Sequence, residues 1–220
     1  MGVKSDRWVI DRCRAEPSMI KPFVEELVRE EGGRKVISYG PSSYGYDIRC
    51  SHEFMVFRPK CGGVVDPKGI DEGAFDEVTV QDGGFVLIPP NSFALARSVE
   101  YLRIPRDVLV FAAPKSSYAR TGLCVPTTIL EPSWEGHLTI EISNTTPLWG
   151  RCYAGEGICQ LVFIGADFEM TDDSLLAPMD EMRGGSAAGI VRLQRRVCET
   201  SYADRAGKYQ GQTGITLPGA

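Results

Sequence analysis

The 220-residue chain has no basic excess, no long apolar run, no closely paired cysteines and only two histidines, His52 and His137. Its 24 Lys and Arg are outnumbered by 29 Asp and Glu, giving a net charge of −5. That balance argues against a sequence-blind grip on a nucleic-acid backbone, which needs a basic surface. No apolar stretch approaches the ~18 residues of a membrane span, and Asp6 stands where an N-myristoylation signal wants Ser or Thr. The seven cysteines, at 13, 50, 61, 124, 152, 159 and 198, form an odd set without a Cys-x-x-Cys pair. With no leader-like segment ahead of them, they are expected to be reduced thiols of a cytoplasmic protein. Nothing recurs at a fixed period, which argues against solenoids and propellers.

What is present suits one domain over 1–220: 43% of the residues are hydrophobic, enough for a single sizeable core. Ser5 and Asp6 can cap a short helix carrying Trp8, Val9 and Ile10. Pro22 can open a second helix through Phe23, Leu27 and Val28, stopped by Gly32 and Gly33. Beyond it the chain breaks into short β-rich runs at 54–57, 85–88, 93–96, 108–112, 138–142 and 158–164, punctuated by Pro and Gly. That pattern predicts a mainly β barrel or sandwich. Residues 165–197 are acidic first, then small and Gly-rich, then basic, and read as an inserted flexible segment.

The densest chemistry lies in KSSYAR at 115–120 and EPSWEGHLTIE at 131–141. Leu138, Ile140 and Ile142 alternate with His137, Thr139 and Glu141, so a strand with one apolar and one polar face is expected there. If the chain coils after Pro114, Arg120 falls one helical turn beyond Ser116, on the same side, and Gly122 can end the turn. On pattern alone, Glu141 reads first as a solvated strand carboxylate and Arg120 as half of a surface ion pair.

Those two segments, taken as one block, with ISYGPSSYGYDIR at 37–49, PPNSFALAR at 89–97 and SYADRAGKYQGQ at 201–212, resemble the bacterial dCTP deaminases in four blocks and in the same order. The resemblance implies a distorted jelly-roll of the dUTPase-like type with added small helices, and a homotrimer with active sites between subunits. It also implies hydrolytic deamination of dCTP to dUTP and ammonia, supplying dUTP for dUMP and dTTP synthesis. Glu141 would shuttle the proton, and Ser116 would hold the attacking water with a backbone carbonyl of a strand at 125–128, where Thr127 counts as substrate-binding. Arg120 would orient Glu141 and the water. Lys115 and Ser117 would meet phosphate. Glu131 would meet the deoxyribose 3′-hydroxyl, and Trp134 would line the sugar and base pocket. Tyr202, Lys208 and Gln212 would close over the phosphates as part of a C-terminal lid at 201–220, which its glycines free to move.

Zinc-dependent nucleobase deaminases carry H-x-E and P-C-x-x-C signatures, and neither is in this sequence. No zinc and no protein-held metal are therefore expected. Magnesium is expected on the triphosphate, and dTTP as a feedback inhibitor is carried over from the resemblance. The chain departs from many relatives in having Pro126 and Ile129 where they have Asn and Pro, which bears on base selectivity. Two other functions remain open: a bifunctional deaminase and dUTP pyrophosphatase on the same fold, and a non-catalytic sensor of dCTP or dTTP.

Overall fold

A computed structural model describes residues 2–58, 63–165 and 210–217. The first helix forms as expected, α1 over Asp6–Arg14, with Ser5 at its cap position and Val9 and Cys13 turned into the core. The second does not. Ile20–Lys21 (β1) pairs with a later strand, and Val28–Glu31 (β2) pairs with Arg34–Ser42 (β3). Gly32 and Gly33 join β2 to β3 with φ of 57° and 74°, the left-handed pair that a two-residue hairpin turn requires. The glycines therefore turn a hairpin where they were expected to stop a helix. Phe23 stacks on Tyr46 at 5.5 Å, and Val24 N donates to Tyr46 Oη at 3.0 Å, so tertiary contacts hold the stretch extended.

The remaining strands are β4 (Gly45–Phe57), β5 (Phe75–Thr79), β6 (Phe85–Ile88), β7 (Ser92–Arg103), β8 (Val108–Pro114), β9 (Leu123–Cys124), β10 (Thr128–Leu130), β11 (Glu135–Asn144), β12 (Gly150–Tyr153) and β13 (Gly157–Gly165). A single helical turn, α2 (Ser116–Ala119), follows β8. Among the described residues the main sheet has 11 strands with the central order β10-β8-β13-β4-β7-β11-β9, and β6 pairs with β12 apart from it. The mainly β expectation holds, and all six expected runs lie in strands.

β4 explains how the sheet curls. Its first half pairs with β3 and β13, and its second half pairs with β5 and β7. A strand that changes partners midway turns one sheet into two facing halves. Tyr46, Ile48, Phe54, Ile140, Ile142 and Phe163 fill the space between them, each essentially without solvent contact. α1 closes one end, Trp8 lying 5.8 Å from Phe163. No described helix is long and apolar enough to cross a membrane. The segment expected as an insertion lies outside the described residues after Gly165, as do Tyr202 and Lys208.

Candidate active site

β11 carries the alternation read from the sequence: Leu138, Ile140 and Ile142 face the core, while His137, Thr139 and Glu141 take the half-buried face. It pairs with β7, but the register jumps from His137 opposite Tyr101 to Thr139 opposite Arg97. The irregularity is filled by Ser98, which is fully buried: its Oγ accepts from Leu138 N at 2.9 Å and donates to the Glu100 carbonyl at 2.6 Å. The regular ladder then resumes and sets Glu141 opposite Leu95, which in turn lies opposite Met55 of β4.

Glu141 opens into a pocket of about 380 Å3, a size ordinary for a small-molecule site. Phe75, Phe93, Leu95, Leu130 and Trp134 give it an apolar wall; Thr128, Thr139, Gln212 and Thr216 give it hydroxyls and an amide. Burial pushes the Glu141 carboxyl above its ordinary value, since a charge there loses water. The carboxyl is thus moved toward the range in which it can both take up and release a proton near neutrality.

Trp134 and Gln212, both expected at the site, line this pocket. Trp134 closes a turn with its N–H donating to the Glu131 carbonyl at 3.0 Å, and Ser133 takes a left-handed φ of 57° inside it. Glu131 itself is exposed and outside the lining. Thr127 is exposed one residue before the lining begins. The expected strand at 125–128 starts only at Thr128, because 125–127 cross from β9, paired with β11, to β10, paired with β8. Pro126 lies in that crossing and has no N–H for a ladder. Ile129 lines the pocket while half exposed.

The second group of expected residues sits elsewhere on the same chain. Arg120 N donates to Ser116 O at 3.0 Å, the helical turn read from the sequence, and Gly122 leaves it with φ 78°. Ser116, Ser117 and Arg120 are exposed and do not line the Glu141 pocket. Beneath them the turn is anchored: Tyr118 is buried, its Oη accepting from Tyr153 N at 3.1 Å, and Lys115 N donates to Ile158 O at 3.2 Å. Lys115 Nζ is hydrogen-bonded to Asp47 and to Ser38. The buried thiol of Cys159, pushed up to about 12 by loss of water, lies within electrostatic reach of both Glu141 and the Asp47–Lys115 pair.

Leu138, Thr128, Thr139, Thr216 and the loop residues Val65, Asp66, Pro67 and Ile70 complete the pocket, and none was given a role at the site from the sequence. Thr139 had a signal, its place two residues from Glu141 on the same strand face. The loop had none, since its position depends on pairing far along the chain.

A family model described as dCTP deaminase-like matches residues 3–166, the stretch that builds this sheet, α2 and all of the pocket lining except Gln212 and Thr216. The chain belongs to that family. A dCTP deaminase of Methylococcus capsulatus is 51% identical over 220 residues, covering 100% of both chains. A dCTP deaminase of Stenotrophomonas maltophilia is 50% identical over 218 residues, covering 99% of each. The fold is also that of a 2'-deoxycytidine 5'-triphosphate deaminase structure from Agrobacterium tumefaciens, with a TM-score of 0.55 at 17% identity, covering 83% of this chain and 53% of that one. The similarity to dCTP deaminase-like proteins thus extends over the tail as well as the sheet.

Proposed function

We propose that this protein is a cytoplasmic enzyme that hydrolyses dCTP to dUTP and ammonia, with Glu141 as its proton shuttle. Relatives of that name, half identical over their whole length, support the activity. The observation that carries the mechanism is the raised Glu141 carboxyl in an apolar-walled pocket of nucleoside-compatible size. Glu141 takes a proton from water as the oxygen bonds to cytosine C4 and passes it to N3. It then takes the proton of the new C4 hydroxyl and passes it to the amino group as the C4 carbonyl forms. The C4–N bond breaks and ammonia departs, so that one water is consumed and no redox change occurs. Trp134 and Leu130 offer the flat apolar surface a pyrimidine needs.

Ser116 and Arg120 are the groups to hold the water and orient the carboxylate. Both are exposed and outside their own chain's pocket, which supports a site completed by α2 of a second copy in a homotrimer. Glu131 and Thr127, at the pocket margin, are assigned to the sugar. Ser117, Lys115, Tyr202 and Lys208 are assigned to phosphate. The pocket's carboxylates, Glu141 and Asp66, are set among rings and a loop, a poor cage for a hard octahedral ion, so magnesium is assigned to the triphosphate oxygens. dTTP, which shares the sugar and triphosphate, is the expected feedback inhibitor.

The test is turnover of dCTP with magnesium, following ammonia and separating the nucleotides. Release of dUTP with equimolar ammonia supports the reading. Accumulation of dUMP with pyrophosphate replaces it with the bifunctional one, and binding without ammonia replaces it with a sensor.

A further inference from the structure

Residues 210–217 lie against the beginning of β11, beside the Glu141 pocket. Gly211 N donates to Glu135 O at 2.6 Å, and His137 N donates to Gln212 O at 2.8 Å. Gly136 and Gln212 form a parallel bridge. The Gln210 side chain adds two bonds, accepting from Glu135 N at 3.3 Å and donating to Ser133 O at 3.0 Å. These contacts fix the register of the segment and leave the Gln212 side chain to be placed by something else.

Thr139 places it. Thr216 N donates to Thr139 Oγ1 at 3.2 Å, which leaves the hydroxyl's own proton for Gln212 Oε1 at 3.3 Å. An amide whose oxygen accepts there keeps both protons on its nitrogen for a ligand. Gln212, Thr216 and Thr139 all line the pocket into which Glu141 opens. The chain of donors therefore runs from the tail backbone through one strand hydroxyl to an amide at the site.

We propose that Thr139 is a positioning residue for nucleotide binding: it locks the Gln212 amide as a donor to an acceptor oxygen of the bound nucleotide and seats the 210–217 segment at the pocket. The identity of that nucleotide as dCTP rests on the function proposed above. The competing explanation is that Thr139 is there only as a β-branched strand former, for which valine serves equally.

Thr139→Val keeps the shape and removes the hydroxyl; Thr139→Ser keeps the hydroxyl. Thr139→Val is expected to raise KM for dCTP about tenfold, one hydrogen bond to a charged ligand, with kcat held within about twofold because the contact serves ground and transition states alike. Thr139→Ser is expected to restore the parent KM. In a Gln212→Ala background the valine change should add well under tenfold, since the amide they share is already gone and only the Thr216 contact is left to lose. Hydrogen exchange at the Thr216 amide should quicken in Thr139→Val and return to parent protection in Thr139→Ser. An unchanged KM in Thr139→Val, or effects of Thr139→Val and Gln212→Ala that simply multiply, overturns the proposal. If the parent does not turn over dCTP, the functional reading falls by itself and the exchange decides: equal Thr216 protection in the parent and Thr139→Val overturns the positioning role, and faster exchange rescued by serine sustains it.

Discussion

Ser98 receives the backbone N–H of Leu138 at 2.9 Å, and this side chain stands in for a rung that the β7–β11 ladder lacks. Both residues are buried, so neither group has water as an alternative partner. Beyond the irregularity, β11 returns to register and brings Thr139 and Glu141 onto the pocket face.

Ser98→Ala should therefore leave the Leu138 N–H buried without an acceptor. The expected loss is about 1–3 kcal/mol, read as a lower midpoint in thermal or denaturant unfolding. A variant as stable as the parent would show that the hydroxyl does not support the strand.

Glu141→Gln preserves the shape and removes the titrating group, so turnover of dCTP should fall by about 10³ or more while nucleotide binding persists. Because burial raises the folded carboxyl above its ordinary value of 4.5, the parent's kcat/KM should fall with acid at a pH above the usual carboxylate range. The stability sign runs the other way. The folded state holds this proton more tightly than the unfolded chain, so its stabilising contribution is complete below the unfolded value and is lost as pH rises through the folded one. Glu141→Gln should accordingly melt higher than the parent at pH 8, and the two should converge near pH 4.

Gly136 takes φ +150°, and a Cβ there would stand 2.8 Å from Gln212 N. Gly136→Ala should cost about 1–3 kcal/mol in strain and loosen the 210–217 segment. The check is faster amide exchange at 211–217 together with a higher KM for dCTP. Unchanged exchange would show that the segment tolerates a side chain beneath it.

Glu100 is fully buried and bonded through both oxygens to Arg49, at Nε (2.7 Å) and at the backbone N (2.9 Å). Burial raises the Glu100 carboxyl and the Arg49 charge opposes that rise. Glu100→Leu strands a guanidinium that is itself mostly buried and should destabilise by about 3–5 kcal/mol. Arg49→Met added to Glu100→Leu should recover much of the loss, measured as a double-variant cycle in unfolding. Without such recovery, shape and not charge governs the site.

β11 was legible because its apolar positions repeat every second residue, a signal that needs only local sequence. The same alternation put Glu141 on the correct face, and the spacing from Ser116 to Arg120 gave the α2 turn. Residues 22–31 misled for an equally local reason. Phe23, Leu27 and Val28 match a helical spacing, but the stacking of Phe23 on Tyr46 and the Gly32–Gly33 turn are made with residues further along the chain. The wall supplied by Phe75 and the 65–70 loop, and the pairing of Lys115 with Asp47, are likewise long-range and leave no mark in the nearby sequence.

β4 passes from one half of the sheet to the other without a break, Asp47 holding Lys115 at the root of α2 and Met55 lying opposite Leu95, the residue that faces Glu141. One covalent ribbon thus fixes the spacing between the carboxylate region and the helical turn that displays Ser116 and Arg120. Slippage of that ribbon by a residue would displace both at once, so heating should spoil nucleotide capture and overall shape in a single transition rather than in stages.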